Sequence, residues 1–181
     1  MRVEEAQALI APAVLAAAGA RWAELGAGRG TFTRALARLL GAGAEVYAVD
    51  RDAAALSALA GIGAREGARV VPLRGDFADD AGWRELSLPP LDGILLANAL
   101  HFVPAEEQRG VLARLVDGLR PGGRIVVVEY EGRAANPWVP YPVDLAALAA
   151  LLPPGMAAPV RIGARPSAFG GTLYAACTQS T

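Results

Sequence analysis

The chain has 181 residues, 54% of them hydrophobic and 19% charged, with a formal net charge of −1. That length suits one domain with a substantial core, no run nears the roughly 18 apolar residues of a membrane span, and no basic surplus marks a chain whose affinity is for nucleic-acid phosphates. A single cysteine, Cys177, excludes an internal disulfide, and the 17 cationic residues are all arginine, which rules out a lysine Schiff base or a P-loop lysine.

From the N-terminus, Val3, Ala6, Leu9/Ile10, Ala13/Val14 and Ala17 recur at helical spacing, so residues 1–19 predict an amphipathic helix, kinked or restarted at Pro12. Glu4, Glu5 and Gln7 interrupt the superficial likeness to a secretion signal, and the expected compartment is the cytoplasm. Residues 21–25 predict a short buried strand, and the helix after it carries Phe32, Leu36, Leu39 and Leu40 on one face before stopping at Gly41 and Gly43. Then "EVYAVD" predicts a strand, "DAAALSALAG" a helix, "ARVVPLRGD" a strand, and "LDGILLANAL" a strand whose near-continuous apolar run implies burial on both faces. The segment from Pro104 to Leu119 has proline and two glutamates in its first turn and apolar residues at helical spacing. "RPGG" predicts a turn into the strand "RIVVVEY", and the tail reads as a short helix, "VDLAALAALL", followed by a closing hairpin. Strands alternating with helices imply a parallel sheet covered on both faces, with a ligand beyond the carboxyl ends of the strands.

Between the first strand and its helix lie Gly26, Gly28 and Gly30, three glycines within five positions. One would serve a tight turn; three in alternation imply a ligand lying against bare backbone. A dinucleotide fingerprint would need glycine at Thr31 or at Thr33, so the spacing disfavours a pyrophosphate.

The run Glu24-Leu25-Gly26-Ala27-Gly28-Arg29-Gly30 resembles the first motif of the class I S-adenosylmethionine-dependent methyltransferases, an acidic residue followed by G-x-G-x-G. The resemblance continues through "VYAVDRD", "LRGDF", "LLANALHFV" and "LRPGGRIVVVEY", and covers about residues 20–130. It implies a Rossmann-like α/β three-layer sandwich with a seven-stranded, mostly parallel sheet, the last strand of the C-terminal hairpin inserting antiparallel. It also implies S-adenosylmethionine as cofactor. The expected organisation is a single domain over residues 1–181: an N-terminal helix (1–19), a cofactor-binding core (20–130), and a lid loop, helix and hairpin (131–181).

On this resemblance Gly26, Ala27, Gly28 and Gly30 cradle the cofactor, Glu24 anchors its ammonium end directly or through water, and Asn98 lays its backbone beside the methionine moiety. Asp50 can accept both ribose hydroxyls, with a helix cap as its alternative reading, and Arg51 can lie against the adenine or stand as a solvated surface residue. Asp76 would accept from the adenine amino group while Phe77 forms an apolar wall or simply packs in the core. His101, the only histidine, follows the fourth strand and is the candidate catalytic residue, as a proton acceptor or as a packing group. Tyr130, Glu131, Trp138 and Tyr141 belong to the strand end and the loop "EGRAANPWVPYPV", and Tyr130, Trp138 and Tyr141 are candidate substrate residues that roof a small pocket or, on the alternative reading, plug the core. "NPW" follows the fifth strand, not the fourth, so the role of the N-P-P-Y motif of amino-group methyltransferases does not transfer to it.

The expected acceptor is a small molecule, with no metal, no membrane and no nucleic acid as partner; a homodimer, or a partner completing the pocket, stays open. Three competing classes remain at this point: an RNA or protein methyltransferase, a non-catalytic cofactor-binding protein, and a nicotinamide-dependent oxidoreductase. The Gly spacing speaks against the last of these.

Overall fold

The structure, a computed structural model, describes residues 1–59, 61–62 and 67–181. Its spine is a seven-stranded sheet made of β1 (Arg21–Leu25), β2 (Glu45–Asp50), β3 (Arg69–Arg74), β4 (Leu91–Ala97), β5 (Leu119–Glu131), β6 (Val160–Pro166) and β7 (Thr172–Gln179). The strand order is β3-β2-β1-β4-β5-β7-β6. Pairs from β3 through β5 are parallel, and β7 runs antiparallel to both β5 and β6. The expected sheet, with its reversed last strand, is therefore present.

Two apolar layers cover this sheet, as strands buried on both faces require. On one side, α1 (Val3–Ile10) and α2 (Thr31–Leu40) bring Leu9, Ile10, Phe32 and Leu36 onto Trp22, Leu95 and Val126. On the other, α5 (Ala105–Asp117) and α6 (Leu145–Leu151) bring Val111, Leu112, Leu115 and Leu148 onto Leu25, Ile94, Leu96 and Val127. The expected helix over residues 1–19 is shorter than predicted: α1 stops at Ile10, Pro12 lies in a 3-10 turn over Ala11–Ala13, and no helix restarts before β1. The helix α3 spans Ala53–Leu59; residue 60 of the predicted segment lies outside the described residues.

Two further elements differ from expectation. A six-residue helix, α4 (Asp80–Glu85), follows β3, and Asp79 caps it by accepting from the Gly82 N–H at 2.7 Å. So short a helix has too few turns to print a periodic apolar pattern. "RPGG" is not a turn before β5 but an irregularity within it: Leu91 faces Leu119, yet Gly93 faces Arg124, so the strand takes up the extra residues as a bulge.

Gly93 also shows how tightly neighbouring strands pack, since its register partner on β1 is Trp22. A Cβ there would fall inside the Trp22 indole, which is 2% exposed and cannot swing aside. Gly93→Ala is expected to lower unfolding free energy by about 2 kcal/mol through overpacking, read from the urea midpoint at unchanged m-value; an unchanged midpoint would mean the ring relaxes freely.

Candidate active site

The strand order reverses between β1 and β4, and open parallel sheets place their ligand crevices at such a point, beyond the carboxyl ends of the strands. A cleft of about 320 Å³ lies there, lined by Gly26, Gly28, Asp50, Arg51, Gly75, Asp76, Phe77, Ala78, Asn98, Ala99, Phe102 and Val103. Seven residues singled out in the sequence thus share one cavity: Gly26, Gly28, Asp50, Arg51, Asp76, Phe77 and Asn98.

The loop after β1 is pinned by its own amides. Gly26 N–H and Ala27 N–H both donate to Val49 O at 2.9 Å, and Gly28 N–H donates to Asp50 Oδ2 at 2.7 Å. Gly28 has φ +51°, and a Cβ on it would meet nothing within 4 Å. That open space lies on the cleft side of the loop. Gly30 differs: at φ +80° it precedes α2, and a Cβ there would collide with Leu59 and Ile62. Ala27 is buried against the same pair and Ala48. Gly30 and Ala27 therefore shape the loop from behind and do not line the cleft.

Asp50 is committed to this loop. Its Oδ2 takes the Gly28 amide and its Oδ1 takes the Asp52 amide at 2.9 Å, while Asp52 itself bonds the Ala54 amide at 2.8 Å. The helix-capping alternative for Asp50 thus falls to Asp52. On the adjoining wall Asp76 accepts from the Ala78 amide at 2.9 Å, and Arg51 stands 3.8 Å from its other oxygen. Arg114 of α5 reaches across to donate to the Phe77 and Ala78 carbonyls at 3.3 and 2.8 Å, and to Asp80 at 2.8 Å, and so fixes the segment that carries Phe77.

Asn98 ends β4 in the left-handed region, at φ 53°, with its N–H donating to Val128 O at 2.8 Å. Its side-chain oxygen is buried and has no hydrogen-bond partner among the described residues. A strained non-glycine residue with an orphaned oxygen in a cleft is a recurrent mark of a binding position.

Glu24 does not line the cleft. It is 2% exposed, on β1 behind the glycine loop, where Oε2 accepts from the Thr33 hydroxyl of α2. Burial pushes its carboxyl up to about 8; the Thr33 hydrogen bond opposes this and the nearby Asp50 charge adds to it.

A second group of residues gathers at the neighbouring turn, Leu100–Phe102. His101 is 1% exposed and does not line the cleft. Its ring Nδ1 lies 2.6 Å from Glu129 Oε2, and its backbone N–H donates to Glu129 Oε1 at 3.2 Å. Its carbonyl accepts from Tyr141 N–H at 3.1 Å, and Gln108 donates to the carbonyls of Val103 and Tyr141 at 3.1 and 3.2 Å. The Tyr130 ring is 6.1 Å from the imidazole and carries the Arg133 guanidinium 4.6 Å above it. Trp138 stays apart, 76% exposed, and Glu131 pairs with Arg161.

Glu129 and Arg114 were not singled out in the sequence. Glu129 had a signal, an acid closing the apolar run "IVVV", where it is 0% exposed. Arg114 had none, because one arginine on an amphipathic helix reads as a solvated residue.

A doubly wound sheet with one reversed strand, a glycine loop after β1 and acids at the ends of β2 and β3 define the class I methyltransferase architecture. A family model described as "Methyltransferase domain" matches residues 23–125, and the chain belongs to that family. It is a methyltransferase that uses S-adenosylmethionine. The fold is similar to that of magnesium protoporphyrin IX methyltransferase from Synechocystis PCC 6803 with bound SAM, at 20% identity over 99% of this chain and 78% of that one, with a TM-score of 0.72. It is also similar to 1,6-didemethyltoxoflavin-N1-methyltransferase from Burkholderia thailandensis, at 25% identity, 99% and 78% coverage, and a TM-score of 0.74. The N-methyltransferase NodS from Bradyrhizobium japonicum WM9, in complex with S-adenosylhomocysteine, is similar at 15% identity, 98% and 85% coverage and a TM-score of 0.74. No curated protein matches the chain. Among the described residues no helix is long and apolar enough to cross a membrane, and no three of His, Cys, Asp and Glu cluster as a metal site.

Proposed function

We propose that the cleft between Gly28, Asp50, Asp76 and Asn98 holds S-adenosylmethionine and that the chain, acting as a single domain, transfers a methyl group to a small-molecule acceptor. The observation that carries this reading is the convergence of a bare-backbone loop, two strand-end carboxylates and an orphaned Asn98 oxygen on one cavity of about 320 Å³. Each feature matches a part of the cofactor. The open face of Gly28 admits it against backbone, Asp50 retains lone pairs for the ribose hydroxyls, and Asp76 and Phe77 offer an acceptor and a wall to the adenine. The unpaired Asn98 oxygen accepts a donor from the methionine end.

Bound here, the cofactor supplies a methyl group on a sulfonium, a leaving group good enough that alignment provides much of the acceleration. The turn that carries Asn98, Ala99 and Phe102 is therefore the element that must be held, and Glu129, Tyr141 and Gln108 hold it. Of the two readings of His101, proton acceptor and packing group, its burial favours the second: 1% exposed and beside Glu129 at Nδ1, it holds this turn and does not meet the substrate. Tyr130 and Tyr141 supply aromatic surface beside this turn, which suits a compact acceptor, while Trp138 stands apart from it. Magnesium protoporphyrin IX and 1,6-didemethyltoxoflavin, named for two of the similar proteins, are small molecules.

Calorimetric titration with S-adenosylmethionine, S-adenosylhomocysteine and oxidised nicotinamide dinucleotide tests the cleft: the first two are expected to bind without dinucleotide heat, and dinucleotide binding alone overturns it. Gly28→Val places a β-branched side chain at positive φ and an isopropyl group in the cleft. It is expected to weaken cofactor binding at least about tenfold with little change in circular dichroism; retained affinity would mean the pocket lies elsewhere. Release of S-adenosylhomocysteine with small hydroxyl or amino compounds, and not with tRNA or protein, is the outcome expected for the acceptor.

A further inference from the structure

Arg133 is a cation without an anion. It follows the carboxyl end of β5 and is half-buried, yet among the described residues it makes no hydrogen bond and no ion pair. Glu131, the acid beside it in sequence, is taken by Arg161, which donates to both of its carboxylate oxygens. Glu129 is buried and bonded to His101. What holds the Arg133 guanidinium is the face of Tyr130, whose centroid lies 4.6 Å from its central carbon. The ring attracts the cation through its π-electrons and occupies none of its five N–H donors as an oxygen would, so the fork stays open to an acid.

Its place gives that charge a use. Val128 is the register partner of Ala97, so Tyr130 lies level with the turn that follows Asn98, at the end of the sheet where the cleft opens. Phe102 lines the cleft and is 53% exposed; its ring centroid lies 4.4 Å from that of His101, which lies 6.1 Å from that of Tyr130. Tyr141, also exposed, is tied to the same turn by its N–H bond to the His101 carbonyl. Aromatic surface therefore runs from the rim of the cleft and ends at one unpaired cation. An apolar acceptor would use the rings and leave the guanidinium idle. An aromatic acid uses both, lying against the rings while its carboxylate accepts two parallel N–H bonds.

We propose that the methyl acceptor is an aromatic carboxylic acid, and that Arg133, seated on Tyr130, binds its carboxylate while the opposite end of the molecule reaches the cleft. The proposal rests on the cleft assignment above and adds to it the charge of the acceptor. Arg133 does not line the cofactor cleft, so it selects among acceptors and leaves cofactor affinity to other residues.

Calorimetry on wild-type protein saturated with S-adenosylhomocysteine tests this, with para-hydroxybenzoate and para-hydroxycinnamate as probes, each beside its carboxamide at the same ionic strength. At least one acid is expected to bind about tenfold more tightly than its amide, the scale of a charge-assisted pair partly open to solvent. Arg133→Gln is expected to erase that preference by weakening the acid and not the amide. Arg133→Lys should restore part of it, since the charge returns without the planar fork. Both variants are expected to bind S-adenosylhomocysteine as wild type does. The proposal is overturned if neither acid binds the loaded protein, if the amides bind as tightly as the acids, or if the preference survives in Arg133→Gln. A fall in S-adenosylhomocysteine affinity in Arg133→Gln overturns it as well, by placing the residue on the cofactor. Each of these leaves the cleft assignment standing, whereas failure of S-adenosylhomocysteine to bind wild-type protein overturns the assignment and the proposal together.

Discussion

Asp50→Ala is expected to weaken S-adenosylmethionine and S-adenosylhomocysteine binding by at least about 100-fold, or about 3 kcal/mol, the scale of two lost charge-assisted hydrogen bonds. The carboxylate serves two purposes. It faces the cleft with lone pairs that fit a ribose diol, and it receives the Gly28 amide at 2.7 Å, which sets the glycine loop over β2. Removing it therefore withdraws a ligand contact and frees the loop that the ligand lies against. Little of the core depends on it, because the side chain stands at the mouth of the sheet and not between layers. Titration of the variant beside a urea melt separates the effects: lost affinity with a nearly unchanged midpoint is expected. Affinity within about threefold of wild type, a difference well under 1 kcal/mol, would remove Asp50 from the site.

Glu129→Ala is expected to produce the largest loss of stability at the candidate site, about 2–4 kcal/mol, from leaving buried polar groups of His101 without their partner. Glu129 is fully buried and bonds one residue twice, accepting from the His101 backbone N–H and sharing a hydrogen bond with its ring Nδ1. Alanine strands both His101 groups in the buried turn. Glu129→Gln keeps one acceptor oxygen and should cost about 1–2 kcal/mol. The variants are ranked by urea denaturation in the absence of cofactor. Equal stability of wild type and Glu129→Ala would show that solvent enters the turn and satisfies His101. Cofactor affinity of the Gln variant is expected to fall only modestly, since Ala99 and Phe102 of the tethered turn line the cleft while Glu129 itself does not.

These two residues were not equally visible. Asp50 is recognisable because it stands at the end of an apolar strand, 22 residues after the glycine amide it binds, and the meaning of an acid at that place follows from a parallel sheet presenting strand ends to a ligand. Glu129 showed only as an acid after "IVVV", and nothing in the neighbouring sequence pairs it with a histidine 28 positions earlier. His101 stood out as the sole histidine, but whether it faces a substrate or a buried carboxylate is a question of which strand lies beside β4. The short helix α4 and the bulge at "RPGG" were missed for a related reason. One is too brief to show a period, and the other is a turn sequence that its neighbour β4 draws into the sheet.

By itself the sequence determined the alternation of strands and helices, the reversed hairpin strand implied by its family resemblance, and the run of glycines and strand-end acids that marks a cofactor cleft. Those are local properties, set by apolar spacing, by glycine's freedom at positive φ and by where a strand stops. The tertiary structure alone decided that His101 and Glu129 lock together, that Arg114 holds carbonyls 36 and 37 residues away, and that Glu24 lies sealed behind the loop beside a single hydroxyl. Burial and pairing at such separations depend on which segments the fold sets side by side, and there the loss of water turns an ordinary acid into a group whose proton and partner matter.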